Sequence, residues 1–387
     1  MRIVMISTIL PHGHYTENLL RGLDTINDLQ LTIYTPQPEK SDLLPPRIIQ
    51  KNIWRKNIFF ILDILKQLPK DKPDIVHLQH EFTMYGGVVT ALLFPILVIL
   101  LRLQGYRVVT TLHAVVGKNQ ITKEFVNSFM INPPVYITPL TFSLVFTYIY
   151  TIIAKFSHTL ICHTHILKDY LIEDYGAAQK KVLAIPPVVP EKHILKLPTE
   201  SYFFYYGYMV RRKGIENVLL GLAQVIKKYP QYKLVMAGGI IPGQEKAFEE
   251  LKEKIEEIKI EKNVIIKGFI EKESTLAELY AKAYAVVIPA RLSIAASGPL
   301  YHARGYHKCV LASNIGNFTE EIQNGQNGIL VDNDHWAEAM TETIEHPELV
   351  KKVAQASAAR AEEYSQKNIA QKYFKMYKKI QIINKYL

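Results

Sequence analysis

The chain has 387 residues, 48% of them hydrophobic and 21% charged, a globular composition that excludes wholesale disorder and fibrous repeats. Its formal net charge of +10 favours anionic partners such as nucleotides, lipid phosphates or nucleic acid. Two cysteines, Cys162 and Cys309, cannot build a disulfide framework and suit a reducing, cytoplasmic setting.

Short β-rich runs alternate with helical patterns from end to end. Residues 2–7 read as the first strand, and Pro11-His12-Gly13 follows too soon for the apolar core of a secretory signal. Further runs stand at 31–34, 75–78, 107–111, 159–162 and 182–186. Residues 88–101 are apolar but short and contain Pro95. Residues 125–154 hold no charge, yet include Asn127, Asn132, Pro133, Pro134 and Pro139. A spanning helix needs about 20 consecutive apolar residues. Both stretches therefore read first as buried helix beside a loop, with in-plane contact on an anionic membrane surface as the alternative.

The second half repeats the pattern with strands at 202–206, 233–237, 264–267, 285–288, 309–312 and 329–331. Between them, residues 216–228 place Val218, Leu219, Leu222, Val225 and Ile226 on one helical face. Residues 248–258 do the same with Phe248, Leu251, Ile255 and Ile258. Strands alternating with helices imply parallel sheets covered on both sides. The length suits two domains of about 150–200 residues, with a boundary at 190–200, where Pro190 and Pro198 stand. Residues 366–387 read as a terminal helix with six lysines and no acid. Ligands of open α/β sheets bind at the carboxyl ends of the strands, so the expected site is a cleft between the two domains, with the linker as hinge.

Three segments carry candidate chemistry. Gly207 and the cations Arg211, Arg212 and Lys213 lie between a strand and a helix, where glycine admits a close ligand and cations clamp a diphosphate. Ser297-Gly298-Pro299 is a helix-start signature inside residues 279–319, which contain no Asp or Glu. The first half holds His12, His14, His77, His80, His113, His163 and His165, several just after expected strands, without metal-ligand spacing.

In this order the segments resemble the family 4 glycosyltransferases of the GT-B fold over nearly the whole chain. The resemblance rests on Pro11, Gly13 and Tyr15 after the first strand, and on Lys72-Pro73-Asp74-Ile75-Val76-His77. It continues through Gln79-His80-Glu81-Phe82, Gly86-Gly87 and Thr111-Leu112-His113. The second half adds Gly207 to Lys213-Gly214, the run ending Gly238-Gly239, residues 308–313, Gly316, Glu320 and Gly325-Gln326-Asn327-Gly328. It implies an α/β fold of two Rossmann-like domains facing across a cleft. Residues 1–190 would be the acceptor domain, 201–365 the nucleotide-sugar donor domain, and 366–387 a helix packing back on the first.

The activity implied is transfer of a hexosyl unit, with retention, from a UDP- or GDP-sugar to a glycan or lipid-linked acceptor. No metal, no cofactor and no nucleic-acid partner is implied, and the setting is cytoplasmic, peripheral on the inner membrane face. His113 matches a histidine beside the transferred sugar. Gly207, Arg211, Arg212, Lys213, Gly239, Ser297, Gly298, Pro299, His302 and Glu320 match the donor side. Gly13, His14, Tyr15, His80 and Glu81 would face the acceptor. One departure stands out: the second of the family's pair of glutamates falls at His302 and the first near Ile294, and neither position is acidic. A non-catalytic relative, serving as a subunit or glycan-binding partner, is therefore the alternative. A nucleic-acid binder would rest on charge alone, and a nucleotide-sugar epimerase would need a Gly-x-Gly-x-x-Gly turn that is absent after the first strand.

Overall fold

The computed structural model describes residues 1–9, 14–38, 44–129, 134–241 and 243–383. Thirteen strands appear in chain order: β1 (Arg2–Ile6), β2 (Gln30–Pro36), β3 (Ile49–Trp54), β4 (Ile75–His80), β5 (Val108–Leu112), β6 (Thr159–Cys162), β7 (Val182–Ala184), β8 (Tyr202–Tyr206), β9 (Lys233–Ala237), β10 (Val264–Gly268), β11 (Ala285–Ile288), β12 (Val310–Ser313) and β13 (Ile329–Val331). The helices are α1 (His14–Asp24), α2 (Phe60–Asp71), α3 (Val88–Leu103), α4 (Lys123–Phe129), α5 (Pro139–Phe156), α6 (His165–Glu173), α7 (Ile215–Lys228), α8 (Glu245–Glu257), α9 (Glu273–Lys282), α10 (Gly298–Gly305), α11 (Asn317–Glu321), α12 (Trp336–Glu345), α13 (Pro347–Glu363) and α14 (Gln366–Ile383).

The strands form two wholly parallel sheets, ordered β3-β2-β1-β4-β5-β6-β7 and β10-β9-β8-β11-β12-β13, so the expected twin α/β architecture holds. Every run anticipated as a strand overlaps one; β3 was not anticipated. It is an edge strand, half-buried along most of its length, and Gln50, Lys51 and Asn52 interrupt any apolar signal.

Each sheet is packed on both faces. On the first, Trp54, Phe60, Phe94, Phe146 and Tyr150 under α2, α3 and α5 make one core, and Leu19, Leu23, Tyr373 and Tyr377 of α1 and α14 make the other. The chain's last helix thus returns to its first sheet. Gly22 of α1 permits this: a Cβ there would stand 2.3 Å from the Gln366 carbonyl oxygen. The second sheet is covered by Val218, Leu222, Trp336 and Met340 on one side and by Leu276, Tyr280 and Leu300 on the other.

The carboxyl ends of the two sheets meet. Ala114, just past β5, makes an antiparallel bridge to Ala295, past β11, and the Val115 N–H donates to the Ile294 carbonyl at 2.9 Å. Thr164, which caps α6, donates its hydroxyl to the Asn317 side-chain oxygen of α11.

Candidate functional site

The cleft between the strand ends is floored by glycine. At Gly238 (φ 146°) a Cβ would stand 1.8 Å from the Gly207 carbonyl oxygen, so β8 and β9 end in backbone packed directly on backbone. Gly214 (φ 60°) closes the cationic turn, where a Cβ would meet the Pro289 carbonyl oxygen at 2.1 Å. Tyr208 and Phe269 flank Gly239.

The three consecutive cations of that turn part ways, because a 3₁₀ turn points successive side chains about 120° apart. Arg211, expected at the donor, is turned to α8 and ion-pairs with Glu250 (Nε–Oε2 2.7 Å). Arg212 reaches across to the first domain, with its guanidinium 5.3 Å from the Phe129 ring centroid. Burial lowers its pKa, and the Glu81 carboxylate on the opposite lip opposes that fall. Lys213 is held at about 8, chiefly by desolvation and then by the neighbouring Arg212 charge. Its ammonium has no ion pair or side-chain hydrogen bond among the described residues.

Facing this corner is the start of α10. The Ser297 hydroxyl caps the helix by accepting the Leu300 N–H at 3.4 Å, and Pro299 occupies its first turn. A Cβ on Gly207 would lie 3.8 Å from Pro299 Cγ, so the end of β8, where the loop to the cationic turn begins, stands beside the helix start. Gly298 opens onto free space, and the His302 ring packs against Tyr206 with centroids 5.6 Å apart. The buried Arg304–Glu321 ion pair (2.6 Å) anchors the other end of α10 to α11.

Strand alternation sorts the first domain's polar groups. On β4, His77 and Gln79 point to the α1/α14 face, and His80 points to the other. His80 is therefore not an acceptor contact: it is 1% exposed, packed on Phe94 (4.4 Å) and Phe82. Glu81, one residue on, is exposed at the rim. Tyr15, expected to face the acceptor, stands beside His113 and His163. Its hydroxyl is hydrogen-bonded to that of Tyr373, and its ring edge lies 4.7 Å from His113. Gly13 and the His14 side chain fall outside the described residues.

Around His113 the protons can be placed by elimination. The Ile185 carbonyl only accepts, so His163 donates from Nδ1 (2.9 Å) and its Nε2 accepts. His113 then donates from Nδ1 to His163 Nε2 (3.1 Å), leaving its own Nε2 as an acceptor; the Gln79 Oε1 placed 2.8 Å from it cannot donate, so the neutral network requires the Gln79 amide to be turned end for end. Gln79 satisfies this with its NH₂ toward His113 and its oxygen toward His77 Nε2, the amide orientation being inferred from the network. The Tyr377 hydroxyl of α14 completes the chain at His77 Nδ1 (2.6 Å). Desolvation holds His77 and His80 at about 3 and His163 at about 4, and holds His113 well below the usual histidine value. All four are neutral near pH 7.

Glu320, expected at the donor, lies at the junction of the two domains. Its carboxylate accepts the N–H groups of His165 (2.8 Å) and Ile166 (3.0 Å), clasping the second domain to the start of α6 in the first. Among the described residues no group of three His, Cys, Asp or Glu could hold a metal ion. The sequence reading overlooked Gln79, Asn317, Phe129 and Tyr377 as site-building residues. Only the His77/Gln79 alternation signalled any of them.

A family model described as Glycosyltransferase Family 4 matches residues 12–193, and one described as Glycosyl transferases group 1 matches residues 191–360. No curated protein matches the chain. Among solved structures, Anabaena Alr3699/HepE in complex with UDP and glucose is similar at TM-score 0.75 and 15% identity, covering 97% of this chain and 99% of that one. The sucrose-phosphate synthase of Thermosynechococcus elongatus is similar at TM-score 0.77 and 18% identity, covering 98% and 99%. A glycosyltransferase of Rickettsia africae is similar at TM-score 0.72 and 18% identity, covering 98% of each chain. At these identities the likeness is one of fold.

Proposed function

We propose that this chain, which belongs to the family 4 glycosyltransferases and has the GT-B fold, moves a hexosyl unit from a nucleoside-diphosphate sugar to a glycan or lipid-linked acceptor with retention. The observation that carries this reading is Lys213, a desolvated ammonium without a carboxylate partner among the described residues, in the loop whose first residue, Gly207, lies against Pro299 at the start of α10. Such a cation and a helix N-terminus offset the charge that grows on a departing diphosphate. UDP and UDP-glucose in the complexes of the Anabaena protein support a uridine donor.

His302, in the place of a ribose-binding glutamate, accepts one hydrogen bond when neutral where a carboxylate would accept two. His113 is neutral and acts by contact rather than as an acid. Retention without a carboxylate nucleophile has the acceptor hydroxyl attack on the face the diphosphate leaves. A departing phosphate oxygen takes the hydroxyl proton as the new glycosidic bond forms.

A second reading, a non-catalytic relative, is favoured by one observation. Ile294, near which the sugar-side glutamate would stand, packs on the first domain's core and gives its carbonyl to Val115. Thermal-shift titration with UDP- and GDP-sugars tests donor binding, and radiolabelled transfer separates the two readings. Absence of stabilisation by every nucleotide sinks both the donor site and the proposed reaction.

A further inference from the structure

The hydrogen bonds around His113 form one line through the first domain. The Tyr377 hydroxyl of α14 meets His77 Nδ1 at 2.6 Å. His77 Nε2 lies 2.8 Å from the Thr111 hydroxyl and 3.3 Å from the Gln79 amide. Gln79 reaches His113 Nε2 at 2.8 Å, and His113 Nδ1 reaches His163 Nε2 at 3.1 Å. His163 Nδ1 ends the line on the Ile185 carbonyl at 2.9 Å. The participants come from α14, from β4 and from the turns after β5, β6 and β7.

The line runs one way. A carbonyl only accepts, so each neutral link donates toward Ile185. The reverse setting of His113 would put its Nδ1 lone pair against that of His163 Nε2 at 3.1 Å. Traced back from Ile185, the protons sit on His163 Nδ1, His113 Nδ1, the Gln79 NH₂ and His77 Nε2, and the last is the Tyr377 hydroxyl proton. Bonds aligned head to tail polarise one another. Both nitrogens of His113 are thus taken by the protein, whichever way the Gln79 amide is turned. The ring offers a ligand only its carbon edge.

What the line preserves is the neutrality of His113. The titratable groups acting on the ring are His163, His80 and His77, with no carboxylate among them. The last helix adds a second hold: Tyr373 bonds Tyr15, whose ring edge covers His113. His113 precedes Ala114, which bridges Ala295, two residues ahead of the Ser297 cap of α10. The ring therefore borders the place where a diphosphate at that helix start would leave its sugar. A sugar parting from a diphosphate gathers positive charge at its anomeric carbon. A cationic ring beside that carbon would oppose the reaction, and a neutral ring does not.

We propose that Gln79, turned by His77 and by Tyr377 of the C-terminal helix, is the positioning residue that keeps His113 neutral, protonated on Nδ1 and facing the departing sugar with its carbon edge. The catalytic half of this proposal rests on the transferase reading. The direction of the line rests on the hydrogen-bond geometry.

The test is a long-range proton–nitrogen NMR correlation of the histidine rings in the full chain at pH 7, beside kcat and a UDP titration. His113 is assigned by its absence from His113→Gln, and in the wild type its proton is expected on Nδ1. Gln79→Glu sets an acceptor on each side of the ring, so His113 should become doubly protonated. Its kcat should then fall at least about tenfold with UDP affinity unchanged. Gln79→Met, close in shape and unable to charge the ring, keeps the test open if the glutamate variant does not fold; it should leave His113 neutral and lower kcat less. Tyr377→Phe removes only the far end of the line and should lower kcat about threefold. His80→Leu, on the opposite face of β4, should leave the His113 tautomer and kcat unchanged.

A wild-type His113 proton on Nε2, or a ring already doubly protonated, overturns the proposal. So does a Gln79→Glu variant with a charged ring and an unchanged kcat. Losses of kcat that only track a falling melting temperature overturn it too, because the line would then be a support of the fold alone. If no UDP- or GDP-sugar is turned over, the catalytic half falls with the transferase reading, and the ring spectrum still decides the direction of the line. Turnover together with the wrong tautomer removes the proposal and keeps the transferase.

Discussion

His163 Nε2 stands 3.1 Å from His113 Nδ1, and because His163 Nδ1 is committed to the Ile185 carbonyl, the proton between the two rings belongs to His113. The ring beside the expected sugar position is thereby fixed in tautomer and orientation by a neighbour from another strand. Replacing His163 by Phe leaves that N–H without its acceptor. We expect a loss of about 1–3 kcal/mol in urea unfolding and slower transfer with little change in nucleotide affinity, read from kcat against a UDP titration.

The buried histidines make stability depend on pH in a defined direction. Below about pH 6.5 the unfolded chain takes up protons at His77, His80 and His163, while in the folded chain burial holds these groups at about 3, 3 and 4. Stability is complete above pH 6.5 and is lost as pH falls, by up to about 1.4 kcal/mol per pH unit for each histidine. Urea midpoints between pH 7 and 4.5, above the carboxylate range, check this, and His77→Gln should flatten the curve.

Lys213 and Arg211 should separate cleanly despite their proximity in sequence. Lys213→Ala should abolish UDP binding, whereas Arg211→Ala, whose partner is Glu250, should change it less than about threefold. With Lys213 held near 8, UDP affinity of the wild type should weaken as pH rises through that value. Isothermal titration across pH 7–9.5 reads both effects, and equal losses in the two variants would contradict the assignment.

Glu320 joins the two domains through the His165 and Ile166 N–H groups. Glu320→Ala should cost about 1–2 kcal/mol, the worth of a charged helix cap. Amide exchange should quicken at His165 and Ile166 while UDP binding persists. Loss of nucleotide binding with unchanged exchange would return Glu320 to the donor site.

Helix α14 reaches the network only because α1 carries Gly22. Gly22→Ala drives a methyl into the Gln366 carbonyl, and an overpacked contact of this kind costs about 1–3 kcal/mol. Limited proteolysis should then release the last helix first. Resistance equal to wild type would mean that the helix pair accommodates the methyl.

Much of the architecture was readable from local patterns. Period-two and period-3.6 hydrophobicity act over a few residues, so the strands with apolar runs and the helices between them could be marked without any partner in view. The edge strand β3 escaped because Gln50, Lys51 and Asn52 break its apolar pattern and its strand form comes from pairing with β2. Ser297-Gly298-Pro299 announced a helix start, and one was found. Which cation faces the cleft was not written locally: Arg211, Arg212 and Lys213 are chemically equivalent along the chain, and a turn of backbone sends them to three environments. The same holds for His77, whose partner Tyr377 lies 300 residues away, and for Glu320, which answers to a helix end on the other domain. Local propensity is set by neighbours in sequence. Burial, tautomer and charge pairing are set by neighbours in space, and only the folded chain brings those together.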